Sequence, residues 1–511
     1  MRTLATALAL ALLALAGCQT TTIQRADEVA RFQTELAQRN VAAQLDPAVP
    51  LTLDRAVELA LARSLALRVQ QLRLGLHDED VRLAMAGALP KASVAYSPSY
   101  RSNANLMAMG GGPPVKTSDQ TMQNFSVQTV IPILDWGATF YAYQQAKDRR
   151  VQDELLLARA RQTLTRDVRV AYARLAMCQR QEELARYGLH AARELLRQAQ
   201  SLVRQGLLAP TALTEVEAGL AQAALPWTLY RRQAETARLA LGQLLTLPPG
   251  AAFSVVTTLV PPPPLPSAAT VLAWEDHALR ERPELAVQDR ERQIAAHAVR
   301  ERFAAFLPRL DGQVGFNWSS LSLAVNPAYF QFGLLVTDSL LDGGRDWWKY
   351  RRAQKVTDVE AERTLLLSLG ILYEVDFGVL RLYTAHDTVV ARAAVVAAQT
   401  AALREIVSRY REGLETGSEA VRALATMCQA RLDLDQAQTD YLLVSYDLAA
   451  ATLADVSAPA PAPPPSAAAA LPALTPLPGL ESLDKLMQLL PPVDLQAIPE
   501  LRGLLPPVGT P

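Results

Sequence analysis

The sequence predicts an α+β membrane protein in which long α-helical hairpins carry four transmembrane β-strands per chain. Three observations predict it. Four segments of about ten residues alternate apolar and polar side chains, the pattern of strands with one face in lipid and one in water. Two uninterrupted helical patterns of about 68 residues would each reach ~100 Å at 1.5 Å per residue, too long for any globular core. The whole arrangement also occurs twice.

Composition narrows the function classes. The 511 residues include 50 Lys+Arg and 51 Asp+Glu, a formal charge of −1, which argues against a nucleic-acid-binding surface. Hydrophobic residues make up 50% and charged residues 20%, so the bulk of the chain can bury a core. With five His and three Cys there is no cluster at metal-ligand spacing, and no Gly-rich phosphate loop, HExxH or GxSxG pattern. The chain reads as a non-enzyme with no cofactor beyond a covalent lipid.

That lipid is predicted at Cys18. Arg2 precedes an apolar run, Leu4 to Ala16, too short to span a bilayer as a mature helix. The run ends Leu15-Ala16-Gly17-Cys18, which resembles the bacterial lipobox, where cleavage before the cysteine lets its thiol carry diacylglycerol. An ordinary signal peptide with an incidental cysteine is the alternative. On the lipobox reading, residues 1–17 are a signal peptide and 18–50 a lipid-anchored segment. Each buried acyl CH₂ adds ~0.8 kcal/mol of membrane affinity. By the same resemblance, Gln19 in place of Asp favours the outer membrane. Cys178 and Cys428 read as two buried thiols at different heights along the helices.

The repeat is visible in short motifs. Leu89-Pro90-Lys91 returns as Leu307-Pro308-Arg309, Leu134-Asp135-Trp136-Gly137 as Leu341-Asp342-Gly343-Gly344, and Arg204-Gln205-Gly206-Leu207 as Arg411-Glu412-Gly413-Leu414. The last two pairs share an offset of 207 residues (341 minus 134, 411 minus 204). A four-proline run, 261–264, lies in a stiff linker over 261–270. It separates a first repeat, 51–260, from a second, 271–456. Each repeat reads as helix, two strands, a very long helix, a tight turn and another helix. The helices are expected at 52–86, 138–205 and 211–246, then 271–305, 345–412 and 418–454. In each half the two shorter helices together match the long one, as a hairpin wall requires.

The long helices carry alternating three- and four-residue steps, the spacing of a packed seam. In the first half the seam runs Leu164, Val168, Ala171, Leu175, Cys178 and later Leu189, Ala192, Leu196, Ala199, Val203. In the second it is expected at Val390, Ala394, Ala397 and Ala401. This spacing also fits a plain antiparallel coiled coil.

The strands distinguish the two. Val94 and Tyr96 alternate with Ser93 and Ser97; Phe125, Val127 and Ile131 with Asn124, Ser126 and Gln128. Val314, Phe316 and Trp318 alternate with Gln313 and Asn317; Phe330, Phe332 and Leu334 with Gln331 and Gly333. Four strands cannot close a barrel, and an open edge is not tolerated in lipid. Copies of the chain must supply the rest, and strand arithmetic permits two, three or four.

In the order and spacing of these motifs, together with Arg282-Pro283-Glu284-Leu285, the chain resembles the TolC-type outer-membrane channel family, in its lipoprotein branch, over about 50–455. The resemblance implies a homotrimer: a twelve-stranded barrel continued into the periplasm by an α-barrel tunnel. It implies the exit duct of a tripartite efflux system, conducting small toxic compounds passively from a periplasmic adaptor protein and an inner-membrane pump to the exterior. A type I protein-secretion duct and a poreless coiled-coil envelope lipoprotein are the alternatives.

Function would then reside at the ends of the rods. The turns Gly206-Leu207 and Gly413-Leu414 are the expected adaptor-docking tips, the glycines also serving as helix caps. Acidic rings in the family sit just past the second turn, where this chain has Glu419 and Arg422; spacing of i, i+3 lets the two pair with each other. Asp135 and Asp342 are expected N-caps at the strand-to-helix junctions. Met107 and Met109 make at most a weak soft-metal site. From 457 to 511 the chain is Pro/Ala-rich, with 14 prolines in 55 residues, and reads as largely disordered apart from a possible short helix over 480–490.

Overall fold

A computed structural model describes residues 25–453 except 44–48, 104, 108–114, 207–209, 259–262, 323, 338–342, 412–414 and 416. The elements in chain order are α1 (Arg25–Ala43), α2 (Leu53–Arg63), α3 (Leu65–Ala86), β1 (Lys91–Tyr100), β2 (Leu106–Met107), β3 (Val115–Lys116), β4 (Thr121–Leu134), α4 (Ala138–Arg204) and α5 (Pro210–Leu244). The second half contributes α6 (Ala268–Glu281), α7 (Pro283–Ala304), β5 (Arg309–Ser319), β6 (Ala328–Thr337), α8 (Gly343–Arg411) and α9 (Gly417–Thr452).

The long helices α4 and α8 have 67 and 69 residues. Beside each, the shorter helices stack end to end, as their lengths require. Above its midpoint α4 packs on α2 and α3, and below it on α5; α8 packs likewise on α6 and α7 above and α9 below. The stacked ends meet at the midpoint of each rod, and each meeting is sealed by an apolar cluster. In the first half, Ala56 and Leu59 of α2, Leu241 of α5 and Leu245 just past its end close over Val168 and Leu175 of α4. In the second, Ala278 and Leu285 close with Tyr441 and Leu448 over Val375 and Leu382 of α8. Tyr172 fastens the first seal, donating its hydroxyl to the Leu51 carbonyl at 2.8 Å.

Two expected single helices are each broken. At Ser64 the backbone leaves the helical region (φ −57°, ψ 120°) and the side chain caps α3 by accepting from Leu67 N. At Arg282 the backbone turns extended (φ −67°, ψ 124°) before Pro283, whose ring disfavours helical geometry in the preceding residue. Apolar periodicity runs through both sites, so it hid the breaks. The break at 282 is locked by charge. Arg282 is 4% exposed and donates to Glu284 at 3.1 Å and Glu374 at 2.6 Å, while Arg159 of α4 reaches Glu284 at 2.8 Å.

In the first run of the expected seam in α4, Val168, Leu175 and Cys178 are buried and Leu164 and Ala171 are partly buried against the same cluster. The seam expected in α8 is corrected: Val390, Ala394, Ala397 and Ala401 are exposed, and Val389, Val396 and Leu403 pack on α9 instead. Both stripes have helical spacing, and the larger side chains take the interface because they bury more apolar area. The two thiols do lie at different heights. A Cβ on Gly188 would sit 3.9 Å from Cys428 Sγ, which puts Cys428 ten residues, about 15 Å, beyond Cys178 along α4. Helix α1, in the segment expected to follow the lipid anchor, was not anticipated.

Glu284 titrates below the usual glutamate range: burial raises it, and hydrogen bonding and attraction from Arg282 and Arg159 outweigh that. A carboxylate lowered in the folded state contributes stability above its unfolded pKa, near 4.3, which is lost as pH falls through the folded value. Wild-type thermal stability should therefore drop on acidification below about pH 4. Arg282→Gln should lower stability by about 3 kcal/mol at neutral pH and flatten that acid limb, both readable by thermal melts. An unchanged melting curve would remove the clamp from the account.

Candidate functional site: the strand layer and the helix ends

The four main strands form one antiparallel sheet in the order β1-β4-β5-β6. Because side chains alternate faces, the register decides which residues share a surface. Tyr96 stands opposite Phe125, Phe125 opposite Trp318, and Phe316 opposite Phe330. Val94, Val127, Phe332 and Leu334 fall on that same face by parity. Its rings touch across the strands, Phe125 to Phe316 at 6.5 Å and Phe316 to Phe330 at 5.2 Å between centroids. The opposite face pairs Ser93 with Gln128, Gln128 with Gly315, and Asn317 with Tyr329, adjoining Gln331. One surface is thus hydrocarbon and aromatic, the other mainly hydroxyl and amide.

The apolar surface is bare: Phe330, Phe332 and Leu334 are more than 70% exposed. Contiguous apolar exposure on this scale marks a surface covered by something other than water. No helix among the described residues is long and apolar enough to cross a membrane.

Where the strands give way to helices, the chain is pinned. Asp135 accepts from Gly137 N at 3.1 Å and Thr139 N at 2.9 Å, so it caps α4 as expected, although it lies two residues ahead of the cap position held by Gly137. Trp136, in the left-handed region at φ 54°, donates Nε1 to the Pro308 carbonyl, tying the start of α4 to the start of β5. Phe303, Phe306, Trp347 and Tyr350 gather at the same level, with centroids 5.9–6.5 Å apart. Asp342 lies outside the described residues.

At the far end of the rods, Gly206 terminates α4 in the left-handed conformation (φ 72°), exposed and with nothing within 4 Å of an added Cβ. The helix end explains the glycine, and among the described residues nothing covers the position. Leu207, Gly413 and Leu414 lie outside the described residues, as do Cys18, Met109 and the 457–511 segment. Glu419 and Arg422, in the first turns of α9, form an ion pair of 2.9 Å, the i, i+3 pairing that their spacing allowed. Among the described residues no cluster of His, Cys, Asp or Glu could hold a metal. Met107 sits in the small β2–β3 ribbon. Sequence reasoning missed that ribbon and Trp136; the Trp-Gly pair before a long helix was the available signal.

The profile of the outer membrane efflux protein family matches residues 56–246 and 274–453. No curated sequence matches the chain significantly. Among solved structures, the Campylobacter jejuni CmeC outer membrane channel is 17% identical with a TM-score of 0.68, covering 78% of this chain and 85% of that one. CusC, described in terms of folding and transmembrane channel formation, is 16% identical with a TM-score of 0.67, covering 79% and 92%. The Vibrio cholerae outer membrane protein VceC is 18% identical with a TM-score of 0.65, covering 78% and 95%.

The two faces of the sheet should respond differently to charge. Phe332→Lys should impair insertion into lipid by about 2–4 kcal/mol, while Gly333→Lys, one residue along on the other face, should cost far less. Folding titrations into phospholipid vesicles measure both, and equal penalties would contradict the face assignment.

Proposed function

The chain belongs to the outer membrane efflux protein family, and from that premise we propose that three copies close a twelve-stranded barrel in the outer membrane and continue it as a helical tunnel in the periplasm. It is the outer-membrane channel component of an efflux system. The family is one of transport channels, not of enzymes.

The observation that carries the assembly is a pair of unfinished edges. β1 and β6 border the sheet, and neither has a second strand partner among the described residues. The helical layer is ordered α3, α4, α7, α8 in its strand-proximal half, so α3 continues the β1 edge and α8 the β6 edge. Both outer helices present apolar stripes to solvent: Leu65, Val69, Leu72, Leu76 and Leu83 on α3, and Leu366, Leu369, Tyr373, Phe377 and Leu380 on α8. Each stripe has helical spacing and lies opposite the helix's packed face. Two different edges that complement each other make a head-to-tail contact, which closes into a ring when the rotation permits. Three chains with four strands each suit the barrel sizes that membranes hold.

In this reading Cys18 carries the lipid anchor, and cargo consists of small toxic compounds delivered by an inner-membrane pump through a periplasmic adaptor. The tips Gly206-Leu207 and Gly413-Leu414 contact that adaptor. Glu419 and Arg422 border the periplasmic opening, and their pairing supports a gate held by matched charge instead of a ring of repelling carboxylates.

Four outcomes are expected. The purified protein should give discrete single-channel conductance in planar bilayers; a protein that inserts but never conducts contradicts the channel. Glu419→Ala should raise its open probability, and unchanged gating would remove Glu419 and Arg422 from the gate. Gly413→Trp should abolish adaptor cross-linking while the oligomer survives; undiminished cross-linking would dismiss the tips. Cys18→Ser should end metabolic incorporation of palmitate, and persistent labelling would place the lipid elsewhere.

A further inference from the structure

Within its four strands the polar face of the sheet carries formal charge at one end only, with Arg101 one residue past β1 at the other end. Lys91 opens β1, Arg309 and Asp311 open β5, and parity places all three on the face that holds Gln128 and Gln331. Toward the strands' other ends that face offers hydroxyl, amide, small and a few apolar groups. Asp311, nearly buried, accepts Arg309 Nε at 2.8 Å, so its carboxylate is already matched. Lys91 is exposed and makes no ion pair among the described residues. Each chain thus brings two cations and two carboxylates to the barrel mouth nearest the helices; Asp311 pairs with Arg309, and Asp135, beside Arg309, accepts from the backbone of Gly137 and Thr139. At the opposite end of the rods Glu419 is likewise matched by Arg422 at 2.9 Å.

We propose that Lys91, with Arg309 behind it, sets the ionic selectivity of the duct as a cationic ring at the periplasmic mouth of the barrel, so that neutral and anionic cargo pass at least as readily as cationic cargo. This rests on the channel reading above. Closing the barrel repeats each charge around one circumference, inside walls of low dielectric that focus its field along the bore. The amide and hydroxyl lining beyond the ring supplies no opposing charge. A solute bearing a carboxylate, sulfonate or phosphate meets attraction at the mouth, and a neutral amphipath meets no barrier. The side chains do this without a binding pocket: the ring biases which solutes enter and does not retain them.

The reversal potential of reconstituted channels under a KCl gradient tests it. Wild type should admit chloride at least as well as potassium. Lys91→Glu should shift the permeability ratio toward potassium by about threefold or more, and Lys91→Gln by less. The shift should shrink as salt is raised toward 1 M, where charges are screened within about 3 Å. A wild-type pore strongly selective for potassium, or one whose ratio ignores Lys91→Glu, overturns the proposal. Absence of any conductance would instead overturn the channel reading, so the two failures are told apart.

Discussion

A strand surrounded by hydrocarbon must give every backbone N–H and C=O to another strand, because no water is there to take them. In this chain four strands satisfy one another internally and leave two rows of donors and acceptors at β1 and β6. The sheet is therefore the part of the fold least able to exist alone, and the helical layer carries the same incompleteness downward. Its outer helices end in leucine and aromatic stripes that a lone chain exposes to water.

The rods are built to hold this incomplete sheet in place. Within each repeat the joints are apolar, concentrated where shorter helices meet at the middle of α4 and of α8. Between the repeats the joint near the strands is polar. Gln145 donates to Glu301 at 2.6 Å, His297 lies 3.5 Å from Asp148, Gln152 donates to the Val287 carbonyl, and Arg159 meets Glu284. Lower down, Arg180 meets Asp435 at 2.7 Å. Polar contacts fix register more sharply than apolar ones, because a displaced partner leaves a buried group unsatisfied. Register matters here, since a slip between α4 and α7 would shift β4 against β5.

Much of this was legible in the residues. Period-two alternation located all four strands, since a sheet with one apolar and one polar face carries that period in its sequence. The lengths of α4 and α8 followed from uninterrupted helical spacing, and the Gly206 and Asp135 roles from the steric and hydrogen-bonding needs of helix ends. What failed had physical reasons. The breaks at Ser64 and Arg282 interrupt no apolar periodicity; only a serine able to cap and a following proline marked them. The seam of α8 was misplaced because two stripes of apolar residues share the same spacing, and packing on α9 chose Val389 and Val396 over the alanines. The spacing of Glu419 and Arg422 admitted their pairing, and the folded chain forms it.

The claim beneath the whole account is that one chain is an incomplete wall. Native mass spectrometry of the detergent-extracted protein measures it directly. The account predicts a single dominant species containing three chains, which falls apart when β1 or β6 edge positions are replaced by proline. A stable, folded particle of one chain would contradict it, because such a particle would have found another way to satisfy both edges of its sheet.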